Sequence, residues 1–302
     1  MSNYPKQVLD TAQQLQTYID GGMTITSMDE ARSALENIGY YRLRGYCHHL
    51  YDNNTKKYRS GTSFSDILSL YHFDTEFSHL LFSMSASIEV SLRVRLAEAL
   101  LINGDPLAIF DPAYFSDKGY YWKNNGVLCG EIGRSNDVFI KHNFDNHDGL
   151  IPVWAAVEVM SFGNLSMTIK NLRSGVGSPA ALLLSHYKYK STKGNDVTPS
   201  LQMFSSWTQA VSVLRNMCAH NSRIYNRAIN TYLKIPAIDV PQNPTKYNGA
   251  YQLILAMKYL RPSDAMWNQF LGDLNVLFQK YSGVIEMKRI NFPTDWSNHL
   301  TV

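Results

Sequence analysis

"SFSDILSLYHFDTEFSHLLFSMSASIEVSLRVRLAEALLI", residues 63–102, contains neither proline nor glycine, and the next glycine is Gly104. Within it Ile67, Leu70, Tyr71, Phe77, Leu80, Leu81, Met84, Ile88, Leu92 and Leu96 recur at spacings of three and four. That period predicts an α-helix with one broad apolar face. Leu80 to Met84 is apolar nearly all round, as in a helix at the middle of a bundle. Forty residues would extend about 60 Å at 1.5 Å each, so a break or kink partway is expected.

Helical patterns continue on both sides. Ser27 followed by Glu30 has the spacing of a capping box and predicts a helix that stops at Gly39. "YYRLRGYCHHLYD" (40–52) is dense in aromatics and arginine and suits packing against a neighbouring element, or stacking on bases. Residues 104–150 are rich in Gly, Pro, Asn and Asp and read as loops with short helices. Pro152 suits a first helical turn, and a helix is expected from there toward Leu172. "LQMFSSWTQAVSVLRNMCAHNSRIYN" (201–226) reads as helical throughout. A proline-rich linker at 236–244 precedes two helical stretches near 247–260 and 263–281. With no credible set of alternating strands and no repeat, the fold class is all-α. The organisation expected is an N-terminal helical, aromatic-arginine segment (1–60), a helical core (61–235) with a loop-rich insertion near 104–150, and a C-terminal linker with helices (236–302).

Composition narrows the function. An apolar fraction of 45% and a charged fraction of 18% are those of an ordinary globular protein. Cys47, Cys129 and Cys218 are scattered and odd in number, which argues against a disulfide framework and against a cysteine-based zinc site. No secretory h-region and no membrane-length apolar run is seen, so a cytoplasmic protein is expected. The net charge of +3 conceals an asymmetry. Between Val159 and Ile238 nine basic residues face one acidic residue, Asp196, so that stretch carries +8 and the remainder −5. Lys188, Lys190, Lys193, Arg223 and Arg227 lie in it, and such a surface suits a polyanion such as RNA.

Several motifs fail on their context. "GVGSPA" (175–180) has the glycine spacing of a dinucleotide loop but no preceding strand, and reads as a helix stop. "KHNFDNHDG" (141–149) holds His142, Asp145, His147 and Asp148 but reads as a polar turn. His48 and His49 are adjacent and would point to different helix faces. Neither a metal nor another cofactor is expected.

"LRNMCAH" (214–220) survives this screen. On a helix Asn216, Ala219, His220 and Arg223 would form one polar stripe. Arg215 and His220 are five positions apart and diverge by about 140° on an ideal helix. Either the helix ends near Ala219, or a second copy completes the site. The residue types suit RNA cleavage without a metal: histidine as acid or base to the ribose 2′-OH or the leaving oxygen, and arginine on the phosphoryl oxygens. Asn216 would orient His220 or bind substrate. The competing reading is a histidine and an arginine that merely bridge neighbouring helices.

"RNMCAH" fits the RxxxxH signature of HEPN domains. The blocks "IGYYRLRGY" (38–46), "FSDILSLYHFDTEF…LLFSMSASIEVSLRVRLAEAL" (64–100), "PVWAAVEVMSFGNLS" (152–166) and "LRNMCAHNSRIYNR" (214–227) occur in the order seen in Abi proteins. Over roughly residues 1–230 the chain resembles these bacterial abortive-infection proteins, of the AbiD/AbiF type. The resemblance implies a HEPN-like helical bundle and a metal-independent endoribonuclease that leaves 2′,3′-cyclic phosphate ends, acting as an anti-phage or toxin effector. It implies Arg215 and His220 as the catalytic pair and Asn216 as support, while the divergence of Arg215 and His220 on a helix suggests a homodimer. Some AbiF-like proteins are associated with a small non-coding RNA, so an antitoxin RNA is an expected partner beside the substrate. HEPN toxins silenced by a nucleotidyltransferase have tyrosine two residues after the motif histidine, where this chain has Ser222. Glu89 and Glu158 lie in the matching blocks, and pairing with arginines such as Arg93 is their plainest role. Two other functions are carried forward: an RNA-binding protein that cuts nothing, and a protein-interaction scaffold sensing a phage component.

Overall fold

A computed structural model describes residues 8–240 and 248–302. Its helices are α1 (Thr11–Asp20), α2 (Met28–Asn37), α3 (Tyr40–Cys47), α4 (Phe64–Leu100), α5 (Lys118–Arg134), α6 (Val138–Asn146), α7 (Val153–Val159), α8 (Phe162–Lys170), α9 (Pro179–Ser185), α10 (Leu201–Ala219), α11 (Ala250–Leu260), α12 (Asp264–Lys280) and α13 (Trp296–Leu300). Two antiparallel hairpins of two-residue strands join them, β1 (Tyr51–Asp52) with β2 (Lys57–Tyr58) and β3 (Tyr189–Lys190) with β4 (Asp196–Val197). The fold is all-α. No helix among the described residues is long and apolar enough to cross a membrane.

α4 is the axis of the fold. Ser63 opens it with a capping box, its hydroxyl accepting from the Asp66 N–H while the Asp66 carboxylate accepts from the Ser63 N–H. The expected break does not occur: α4 runs uninterrupted for 37 residues. Nothing in its sequence interrupts the backbone hydrogen bonds, and neighbours cover it along its length. α3 and α12 lie against it toward one end, where Tyr46 meets Asp74 and Phe278 meets Phe77. α7 reaches it toward the other end, where Arg93 meets Glu158. α10 packs against α4, α8 and α11. Ile67, Phe73, Phe77, Leu81, Ile88, Leu92 and Leu96 are fully enclosed. Each such side chain contributes roughly 1.5–3 kcal/mol through burial. One contiguous core extends from Leu15 to Leu300.

Three expectations are corrected. Residues 152–172 form two helices, because the chain is extended at Met160 and Ser161 caps α8 by accepting from the Asn164 N–H. Residues 104–150 are more helical than their glycines suggest, with α5 running 17 residues. Asp117 caps α5 at the Tyr120 N–H, and Tyr121, Leu128 and Ile132 are buried on the side facing α7 and α8. Tertiary packing thereby outweighs the glycine penalty of about 1 kcal/mol per residue. "KHNFDNHDG" is mostly the second half of α6 rather than a turn. α2 ends at Asn37, close to the expected Gly39, with Ser27 accepting from the Glu30 N–H. The linker expected at 236–244 lies partly outside the described residues, as does the start of the helical stretch near 247.

Candidate functional site

α10 does not continue to residue 226. It stops at Ala219, and the stop has a local cause. The Ser222 N–H donates to Met217 O at 2.8 Å and the Asn221 N–H to Cys218 O at 3.0 Å. These are the paired bonds of a Schellman motif, with Asn221 in the left-handed conformation at φ +50°. Asparagine tolerates that conformation better than most residues with a Cβ. His220 is therefore the exposed C-cap residue just past α10, and Arg223 belongs to the following loop rather than to a helical stripe.

Two carboxyl-bearing or basic anchors hold that loop. Asp74 of α4 is almost completely buried and accepts from the Tyr225 N–H at 2.7 Å, the Ile224 N–H at 3.0 Å and the Tyr46 hydroxyl at 2.7 Å. Burial holds its carboxyl above the usual carboxylate range, against the opposing pull of those hydrogen bonds and of Arg223. Arg42 of α3 donates to Asn221 O at 2.8 Å, across 179 residues of sequence. α3, α4 and the loop after α10 thus meet behind His220.

Arg215 is placed differently. Its Nε lies 3.3 Å from Glu89 Oε2, its guanidinium is 5.8 Å from the Phe82 ring centre, and its Nη1 donates to Asn216 Oδ1 at 3.2 Å. Glu89 is buried in α4 and also accepts from Arg93 Nη2 at 2.7 Å. Arg93 donates onward to the carbonyls of Glu158 and Met160 at the α7–α8 break, and its Nη1 lies 3.6 Å from the Glu158 carboxylate. Glu89 and Glu158 are therefore arginine partners, Glu89 at the one-turn spacing from Arg93 and Glu158 from a distant helix. Arg215 sits on the α4 side of α10 and is one-third exposed, while Asn216 is exposed. His220 lies instead beside residues of α3.

On that side is a groove of about 520 Å³ lined by Tyr41, Arg42, Arg44, Gly45, His48, His220, Asn221, Ser222 and Arg223. Among the described residues it contains three arginines and two histidines and no carboxylate. Arg223 donates to the carbonyls of Tyr225 and Asn226 and lies over the Tyr46 ring. Arg44 donates to the Tyr40 hydroxyl and lies over the Tyr40 and Tyr51 rings. These contacts fix both cations at the groove wall. His48 lines the groove, whereas His49 packs edge-on to Tyr225. Burial and the nearby Arg289 push the His49 imidazole down to about 4. The two histidines do face different ways, as adjacent helical residues should.

The predicted basic residues divide into two groups. Arg227 is exposed beside the groove, where its Nη1 donates to Arg223 O. Lys188, Lys190 and Lys193 lie on the β3–β4 hairpin before α10, whose Tyr189 ring rests on Trp207. That is toward the opposite end of a helix about 28 Å long at 1.5 Å per residue. Lys190 is paired with Asp196 at 2.8 Å, and Lys188 donates to the Thr198 hydroxyl. The +8 stretch is therefore not one patch. Arg42, Arg44, His48 and Asp74 carry no local sequence signal of a site, because only the tertiary fold brings them near the end of α10.

A family model described as Abi-like protein matches residues 33–226, which spans α3, α4 and all of α10. No curated protein and no solved structure matches the chain.

Proposed function

The chain belongs to the Abi-like protein family, and from that premise we propose that it is an abortive-infection effector that cuts RNA without a metal ion. The observation that carries this reading is His220 exposed at the end of α10, in a groove walled by Arg42, Arg44 and Arg223. The wall would hold the phosphate backbone by charge, and His220 would act on the protons of the reaction. The ribose 2′-OH loses its proton and its oxygen attacks phosphorus. The bond to the 5′-oxygen breaks, and that oxygen takes up a proton. The products are a 2′,3′-cyclic phosphate and a 5′-hydroxyl. Arg215, with its guanidinium oriented by Glu89, would stabilise charge on the phosphoryl oxygens, and Asn216 would assist it.

Arg215 is not among the residues lining the groove that holds His220, so this chemistry calls for a homodimer in which one copy's arginine approaches the other's histidine. The test is to mix two separately inactive variants, Arg215→Ala and His220→Ala. A shared site predicts that the mixture regains part of the RNA cleavage, since each heterodimer holds one intact arginine and one intact histidine. A mixture as inactive as its parts contradicts the shared site.

A protein-contact role has one observation in its favour. Trp122, Val138, Phe139, Phe144 and Leu150 are all exposed on and just after α5 and α6. A bound antitoxin RNA is compatible with the groove, and would have to be stripped before activity is measured.

A further inference from the structure

The α3 helix divides its side chains sharply. Leu43, Tyr46 and Cys47 are buried, and Tyr40 packs against Tyr18. Tyr41, on the other face of the helix, is 92% exposed. It lines the same groove as His220, with Arg42 and Arg44 beside it. A ligand for such a groove needs an anion for the arginines and a flat apolar surface for the phenol ring. A nucleotide with its base out of a helix provides both. In a duplex the base faces are stacked on one another and cannot reach the ring. At about 520 Å³ the groove falls within the range of pre-formed small-ligand sites, about 300–1,000 Å³.

We infer that Tyr41 is a stacking platform for one unpaired base next to the phosphate held at His220, which makes single-stranded RNA the substrate class. This deepens, and rests on, the reading of the groove as an RNA site. Arg42 has a second duty: by donating to Asn221 O it ties the platform helix to the turn that carries His220. Base and reacting phosphate are therefore registered through one side chain. Tyr41 is a positioning and specificity residue here, not a catalytic one.

The experiment measures fluorescence anisotropy of a labelled single-stranded oligoribonucleotide and of the corresponding duplex, on full-length His220→Ala protein so that nothing is cut. Tyr41→Ala and Tyr41→Trp are added to that background. Stacking predicts that Tyr41→Ala weakens single-strand binding about 5- to 100-fold, that Tyr41→Trp retains it, and that the duplex binds weakly throughout. Because Tyr41 is almost wholly solvent-exposed, the alanine variant should keep its thermal midpoint, which is checked in parallel. Unchanged single-strand affinity in Tyr41→Ala overturns the inference and leaves the RNA reading standing. A duplex bound as tightly as the single strand does the same. If His220→Ala protein with Tyr41 intact binds neither RNA, both fail together. Displacement of the strand by polyglutamate at matched charge would reassign the groove to an acidic protein segment.

Discussion

His220→Ala should lower RNA cleavage about 10²- to 10⁴-fold, the range by which a positioned acid or base accelerates proton transfer. RNA affinity should change little, because Arg42, Arg44 and Arg223 supply most of the positive charge around the groove. The fold should be unaffected, since His220 is exposed at a helix end whose Schellman bonds involve only backbone atoms. Single-turnover cleavage and anisotropy binding on the same preparation separate these effects. Loss of binding in proportion to loss of cleavage would mean that His220 only holds RNA. Unchanged cleavage would remove it from the chemistry.

The second large effect is on stability. Asp74→Ala removes the acceptor of two buried backbone N–H groups, of Ile224 and Tyr225, and of the buried Tyr46 hydroxyl. Each buried donor left without a partner costs about 1–3 kcal/mol, so for three donors a loss on the order of 3–9 kcal/mol is expected. A globular domain has about 5–15 kcal/mol in total, so this is a large share. Urea unfolding measures it. Amide hydrogen exchange at Ile224 and Tyr225 should accelerate more than exchange in the middle of α4, because the loop loses its anchor before the core does. A loss below about 0.5 kcal/mol, typical of surface substitutions, would contradict this account of Asp74.

α4 was legible because its signal is local: a three-and-four apolar period with no helix breaker between Ser63 and Gly104. The expected break is absent, because nothing in the sequence interrupts the helix and its neighbours cover it from α3 to α7. The break at Met160 had a readable sign in Ser161 three residues before Asn164, a capping spacing inside an otherwise apolar run. The end of α10 had one in Asn221, a residue that commonly closes helices. α5 had none, because its glycines disfavour a helix and the burial of Tyr121, Leu128 and Ile132 against distant segments decides the matter. The candidate site was half legible. Arg215, Asn216 and His220 stand out from the apolar residues around them. Arg42 is 179 positions from Asn221 and Asp74 is 151 from Tyr225, so their meeting is a property of the fold alone. The lysines of the β3–β4 hairpin show the reverse: near in sequence, they lie toward the far end of α10.

The most direct measurement is the chemistry of the RNA ends left by the wild-type protein, freed of nucleic acid and incubated in excess EDTA. The account predicts cleavage to 2′,3′-cyclic phosphate and 5′-hydroxyl ends. No cleavage under EDTA, or cleavage to 3′-hydroxyl and 5′-phosphate ends, would contradict it.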